Sequence, residues 1–202
     1  MRYANLLIKE YDRLGHNVRG SLCSGMSKRK LMAALRAFLE QPHPVNKSLL
    51  PKSLPASLVD LYQWHNGGGE LAPYFHFMTF EESLESWDIT SEAAEDSVMY
   101  ENGNTVFDDT SPFPFLHSGG GDYVVMDVGE RSPTRGSIGA FANNGCSSVR
   151  NEFSSLSKFF RAHYQCCKEG VYRVDEDGLD FDDRTETLDR FRATDLRMAK
   201  DG

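Results

Sequence analysis

The segment Leu54-Pro55-Ala56-Ser57-Leu58-Val59-Asp60-Leu61-Tyr62-Gln63-Trp64-His65-Asn66-Gly67-Gly68 constrains the fold more than any other stretch of the chain. Pro55 suits a first helical turn, where its missing N–H costs nothing, and Gly67 suits the left-handed residue just past a helix end. Between them Leu58, Leu61 and Tyr62 share one apolar face, so the segment predicts a short helix with both ends marked. Tyr74 to Phe80 follows, aromatic and alternating, and predicts a strand with one better-buried face.

The helical period recurs elsewhere. Tyr3, Leu6, Leu7, Tyr11 and Leu14 fall on one face of a predicted helix over 3–14, and a break with glycine and serine runs from Gly15 to Gly25. Ser27 is placed as the N-cap of a second helix through Leu35, Phe38 and Leu39, with Met26 and Leu31 as a hydrophobic staple. Pro42 and Pro44 stop it and begin an extended linker to Pro51. The region after Phe80 predicts a helix carrying Leu84, Trp87, Ala94 and Val98. Phe113-Pro114-Phe115-Leu116 and Tyr123 to Val128 predict a hairpin around the turn formers His117 to Asp122, with a further strand over Gly136–Phe141. From Phe153 through Leu156, Phe159, Phe160, His163 and Tyr164 the period is helical, and the tail from Asp175 is acidic, then helical through Leu188, Phe191 and Leu196. The fold class expected is α+β, a single domain with a central, mostly antiparallel sheet flanked by helices.

Charge is unevenly divided. Residues 1–50 carry nine Lys and Arg against three acids, whereas 81–109 hold ten acids and no Lys or Arg, within a net charge of −8. Such an acidic field attracts basic partners and repels nucleic acid, so DNA or RNA is not an expected ligand. No window approaches the ~18 apolar residues of a membrane span. Lys9, Glu10 and Asp12 interrupt Leu6-Leu7-Ile8 before it could serve as a secretory core, and a cytoplasmic location is expected.

A converging catalytic set is not evident. Cys23, Cys146, Cys166 and Cys167 lack paired C-x-x-C spacing and read as reduced thiols. Cys146 has no histidine near it in sequence to activate it as a nucleophile. His65, His76 and His117 with Asp122 would form an acid–base or metal cluster only if their turns met at one sheet edge, and their spacing matches no ligand signature. Gly119-Gly120-Gly121 lacks the Lys-Ser/Thr tail of a phosphate loop and reads as a strand turn. Trp64 and Trp87 read as core residues, with interface anchors as the alternative. No cofactor and no metal is expected.

Four pieces occur in a telling order: Leu54-Pro55 with Leu58, Leu61 and Tyr62 leading into Asn66-Gly67-Gly68; Phe75 to Phe80; Phe113 to Val128 with Gly120, Gly121 and Asp122 between strands; and Ser154 to Phe160 after Phe153. Over about residues 50–165 they resemble the SUKH superfamily, the Smi/Knr type of domain found in yeast cell-wall regulators and in many bacterial toxin-immunity proteins. The resemblance implies a SUKH-like core over 50–170 with an acidic insertion at 81–109. A helical N-terminal extension (1–49) would pack on that core, and 171–202 would form an acidic, then helical, C-terminal segment. It also implies a binding module without a catalytic residue set. The leading expectation is an immunity protein gripping a polymorphic toxin domain through an interface on the order of 1,600 Å². An intracellular scaffold or regulator of the cell-wall type is the alternative. If the toxin is a nuclease its cleft is basic, and Glu81, Glu82, Glu85, Asp88, Glu92, Glu95, Asp96 and Asp122 are the candidate contacts.

Overall fold

The computed structural model describes residues 1–42, 51–97, 112–142, 148–176 and 178–181, without the side chains of 93–97, 148–151 and 181. Within them the chain runs α1 (Arg2–Leu14), α2 (Lys28–Glu40), α3 (Ala56–Trp64), β1 (Glu70–Ala72), β2 (Phe75–Phe77) and α4 (Phe80–Ser97). It continues with β3 (Pro112–His117), β4 (Tyr123–Asp127), β5 (Ile138–Ala142), β6 (Ser148–Phe153), α5 (Leu156–Lys168), β7 (Tyr172–Asp175) and β8 (Gly178–Phe181). Strands β1 to β6 form one antiparallel sheet in chain order, and β7 pairs only with β8. The architecture is α+β, as expected.

Local chemistry fixes the helix ends. Ser27 and Ser155 each accept a hydrogen bond from the backbone N–H three residues on, opening α2 and α5, and Gly15 closes α1 at φ 93°. Between the sheet and the helices lies an aromatic core. Tyr62 from α3, Phe80 and Trp87 from α4, and Phe113 from β3 meet edge-on or stacked at centroid separations of 5.0 to 6.5 Å, and Phe38 of α2 stacks on Trp87 at 5.7 Å. Burial of Phe80 and Phe113 contributes about 1.5–3 kcal/mol each. Phe159 of α5 closes the other end against Phe115 and Phe153, and α1 packs along α5.

Two departures from expectation have clear causes. The strand expected over Tyr74–Phe80 is shortened to β2, the second arm of a hairpin that begins with β1 at Glu70, and Phe80 already begins α4. Thr79 and Glu82 form a capping box: Glu82 Oε2 accepts from Thr79 N at 2.7 Å, and Thr79 Oγ1 accepts from Glu82 N at 3.2 Å. That start signal outweighs aromatic alternation. Phe153 ends β6 instead of starting a helix, because Ser155 is the cap. The first part of the acidic run at Asp175 turns the β7–β8 hairpin. The linker over 43–50, Val98, Cys146 and the tail helix through Leu188 lie outside the described residues.

Pro112 and Pro114 look out of place in a strand that lies between two others, since neither can donate to the ladder. The register slips between Pro114 and Leu116, and β2 reaches only Leu116 and His117. Along the uncovered part α4 takes over, with Thr90 Oγ1 donating to the Pro112 carbonyl at 2.7 Å.

The N-terminal segment is laid across the end of α3. Met26 N donates to Tyr62 O at 2.8 Å, Cys23 N donates to Gly67 O at 2.9 Å, and Gly68 is so close to Ser21 that a Cβ would overlap its carbonyl. Glu70 is the second fastening. Its carboxylate is buried, accepts from Tyr74 N at 2.6 Å and Leu179 N at 3.2 Å, and lies 3.1 Å from His16 Nε2, an ion-pair contact whose geometry falls short of a hydrogen bond. Burial alone would raise the Glu70 pKa, but His16 and the two amides outweigh it and hold it below the ordinary glutamate value. A depressed carboxyl stabilises the fold above the unfolded-state pKa, and that contribution is lost as pH falls through the lower folded value. Acid unfolding followed by circular dichroism should therefore show Glu70→Gln less stable than the parent at neutral pH. The variant should also lose less stability than the parent from about pH 5 to pH 3.

A candidate protein-binding face on α4

Helix α4 turns two unlike faces outward and inward. Phe80, Ser83, Leu84, Trp87, Thr90 and Ser91 are buried, and Ser83 Oγ shares a 2.6 Å hydrogen bond with the Tyr62 hydroxyl. Desolvation raises the pKa of that buried hydroxyl and keeps it in the neutral form. On the outer side Glu81, Glu85, Asp88 and Glu92 recur at i, i+4, i+7 and i+11, which is one stripe of a helix. Glu81, Glu85 and Glu92 are exposed and Asp88 is half-buried.

The start of this helix is set by Asn66. Its Oδ1 accepts from Phe80 N at 2.9 Å and its Nδ2 donates to Glu81 at 3.4 Å, while Gly67, at φ 83°, passes so near Thr79 N that a Cβ would sit 2.6 Å away. The Asn-Gly turn seen in the sequence thus anchors the acidic helix.

The candidate contacts do not all have the same standing. Glu82 is exposed, yet its carboxylate is engaged by Thr79 as a cap. Glu95 and Asp96 lie on the last turns of α4, with side chains outside the described residues. Asp122 sits in the β3–β4 turn, away from the stripe in sequence and on another element. Ile89, 55% exposed, flanks the stripe and is not distinguishable from sequence, because nothing in its spacing separates it from buried neighbours.

Of the histidines weighed for catalysis, the fold brings His76 and His117 together and leaves His65 apart. His65 Nδ1 contacts Cys23 O at 2.8 Å, whereas His76 and His117 pair across β2 and β3. Among the described residues no group of three or more His, Cys, Asp or Glu could hold a metal ion. Gly119 to Gly121 form a turn whose amides at Gly120 and Asp122 donate to Ser118 Oγ, as a strand connection would. Cys166 and Cys167 are buried and in no disulfide, and burial pushes the Cys167 thiol well up, which disfavours the thiolate. Trp87 is a core residue; Trp64 is half-buried and donates to Asn5 Oδ1 at 3.1 Å.

Against this framework the sequence model of the SMI1 / KNR4 family (SUKH-1) matches residues 46–162, more than half of the chain. The chain belongs to the SMI1 / KNR4 family. The SUKH-1 match runs from just before α3 into α5, so it contains α4 and the whole six-stranded sheet, while α1, α2, β7 and β8 lie outside it. SUKH domains are in general non-enzymatic and act through protein–protein interaction. No curated protein matches the chain. Among the described residues no helix is long and apolar enough to cross a membrane.

Proposed function

We propose that the protein is a cytoplasmic immunity protein that neutralises a cognate bacterial toxin by tight binding, with the outer stripe of α4 as its docking face. The observation that carries this reading is the stripe itself: Glu81, Glu85, Asp88 and Glu92 share one face of a helix locked into the core by Phe80, Leu84 and Trp87. A rigid row of carboxylates spaced along a helix fits a cleft built to hold phosphates, so a nuclease toxin is the partner whose field it matches. Glu95 and Asp96 on the last turns of α4 and Asp122 in the β3–β4 turn complete the proposed contacts, and Ile89 supplies apolar area beside the stripe.

The test begins with a pull-down of tagged protein from its native lysate at low and high salt, with mass identification of what elutes. One stoichiometric toxin-like partner is expected. Its association rate should fall steeply with salt, and reversing Glu81, Glu85, Asp88 and Glu92 to Lys should cost about 10–10³-fold in that rate at low salt. As a control for folding, reversing only Glu85 and Glu92 leaves the Glu82 cap and the Asn66–Glu81 contact in place, and the thermal midpoint of that variant should stay near that of the parent. A rate indifferent to salt and to these reversals would remove α4 from the interface. Several substoichiometric partners would favour a regulatory scaffold of the cell-wall type instead.

A further inference from the structure

We propose that His76 and His117 form a binding site for one divalent transition metal ion of the zinc, nickel or copper class. The two residues are direct cross-strand neighbours on β2 and β3, and their rings lie 5.8 Å apart between centroids at an interplanar angle of 42°. Two imidazoles sharing a tetrahedral ion through metal–nitrogen bonds of about 2.0–2.1 Å hold their centroids roughly 5 Å apart. Closing the pair on an ion brings the two centroids about 1 Å nearer.

The surroundings leave both rings available. His76 is exposed and His117 half-buried, and neither ring makes a hydrogen bond or ion pair with another described residue. The backbone under them is fixed. On the rung beyond, Met78 N donates to Phe115 O at 3.0 Å. After His117, Ser118 N donates to Asp122 O at 3.0 Å, while Ser118 Oγ receives the Gly120 and Asp122 amides. A chelating pair carried on paired strands loses little freedom on binding. Imidazole nitrogen suits zinc, nickel and copper better than magnesium or calcium, which take oxygen. No third His, Cys, Asp or Glu joins the pair among the described residues, so water fills the remaining positions.

Calorimetric titration of Zn²⁺ into the full chain tests this, in a Cys23→Ser background so that the exposed thiol does not compete. One ion per chain is expected at neutral pH, with binding lost at acid pH because proton and metal compete for the same nitrogens. His76→Gln and His117→Gln should each weaken binding about tenfold or more, at least what losing an outer-shell partner costs a metal site. His65→Gln, whose ring faces the Cys23 carbonyl, should leave binding unchanged. Circular dichroism of each variant reports that it is folded. In parallel, Cu²⁺ should broaden the amide resonances of residues 75–77 and 116–118 before any others. Binding that survives both histidine substitutions, or no heat with Zn²⁺ and no localised broadening with Cu²⁺, overturns the proposal.

Discussion

Gly68→Ala should lower the stability of this protein by about 2–5 kcal/mol in urea unfolding, through two separable costs. The residue sits at φ 81°, a left-handed conformation that costs an L side chain about 1–2 kcal/mol. The new methyl would also overlap the Ser21 carbonyl, in a strap held by backbone hydrogen bonds, and overpacking of that kind costs about 1–3 kcal/mol more. Two companion variants divide the sum. Gly119→Ala has nearly the same φ, 79°, with open space around it, and should show the conformational cost alone. Gly25→Ala has an ordinary φ and a Cβ that would overlap the Gln63 carbonyl, and should show the steric cost alone. Equal effects for Gly68→Ala and Gly119→Ala would mean that the strap yields and that the close approach adds nothing.

Asp127→Ala should be as damaging, at about 3–5 kcal/mol, since each buried donor left without a partner costs about 1–3 kcal/mol. Asp127 is fully buried at the end of β4. Its Oδ1 accepts from Gly129 N at 2.9 Å, and its Oδ2 accepts from the Ser132 hydroxyl and from Thr134 Oγ1 at 2.7 Å. Three donors would lose their acceptor together. The loop they shape holds Arg135, which donates to the carbonyls of Val128 and of Ser53 (2.9 Å for the latter), so the entry to α3 loosens as well. Asp127→Asn should be milder, about 1–2 kcal/mol, because its oxygen still accepts from Gly129 and either hydroxyl can rotate to accept from its amide. Limited proteolysis should find new cleavage within 128–137 in the alanine variant and not in the asparagine one. Equal stability of the two variants would refute the account.

What the sequence made legible was local. Ser27 and Pro55 sit at helix starts because a side chain or a φ preference acts within three or four residues, whereas Gly67, left-handed as expected, lies beyond the end of α3, whose C-cap is the extended His65. The order of α3, a strand, the β3–β4 hairpin and a closing helix is readable for the same reason. The β1–β2 hairpin is hidden because Tyr74 to Phe80 carries two signals at once, and the capping pair Thr79 and Glu82 decides between them only when Asn66 is present to receive Phe80 N. Strands β6, β7 and β8 escape although each pairs with its neighbour in sequence, because β6 is largely polar and β7 and β8 are only four residues each, set in an acidic run that reads as loop. Of the candidate contacts, helical spacing is enough to align Glu81, Glu85, Asp88 and Glu92. It cannot show that Glu82 serves as a cap, since that depends on which residue begins the helix. Asp127 is inconspicuous for a related reason: its partners Ser132 and Thr134 read as loop filler until the loop closes on them.

The carboxylate of Glu70 ties together parts of the chain that synthesis separates widely, since His16 precedes it by 54 residues and Leu179 follows by 109. The stretch matched by the SMI1 / KNR4 family ends at 162, inside α5, and starts after α1 and α2. Cutting the gene to that stretch would strand a buried acid beside two vanished neighbours and strip Phe38 from the face of Trp87. The matched stretch is therefore narrower than the set of elements that pack together in this chain. A fragment cut to 46–162 should melt below one that runs from the first helix through Phe181.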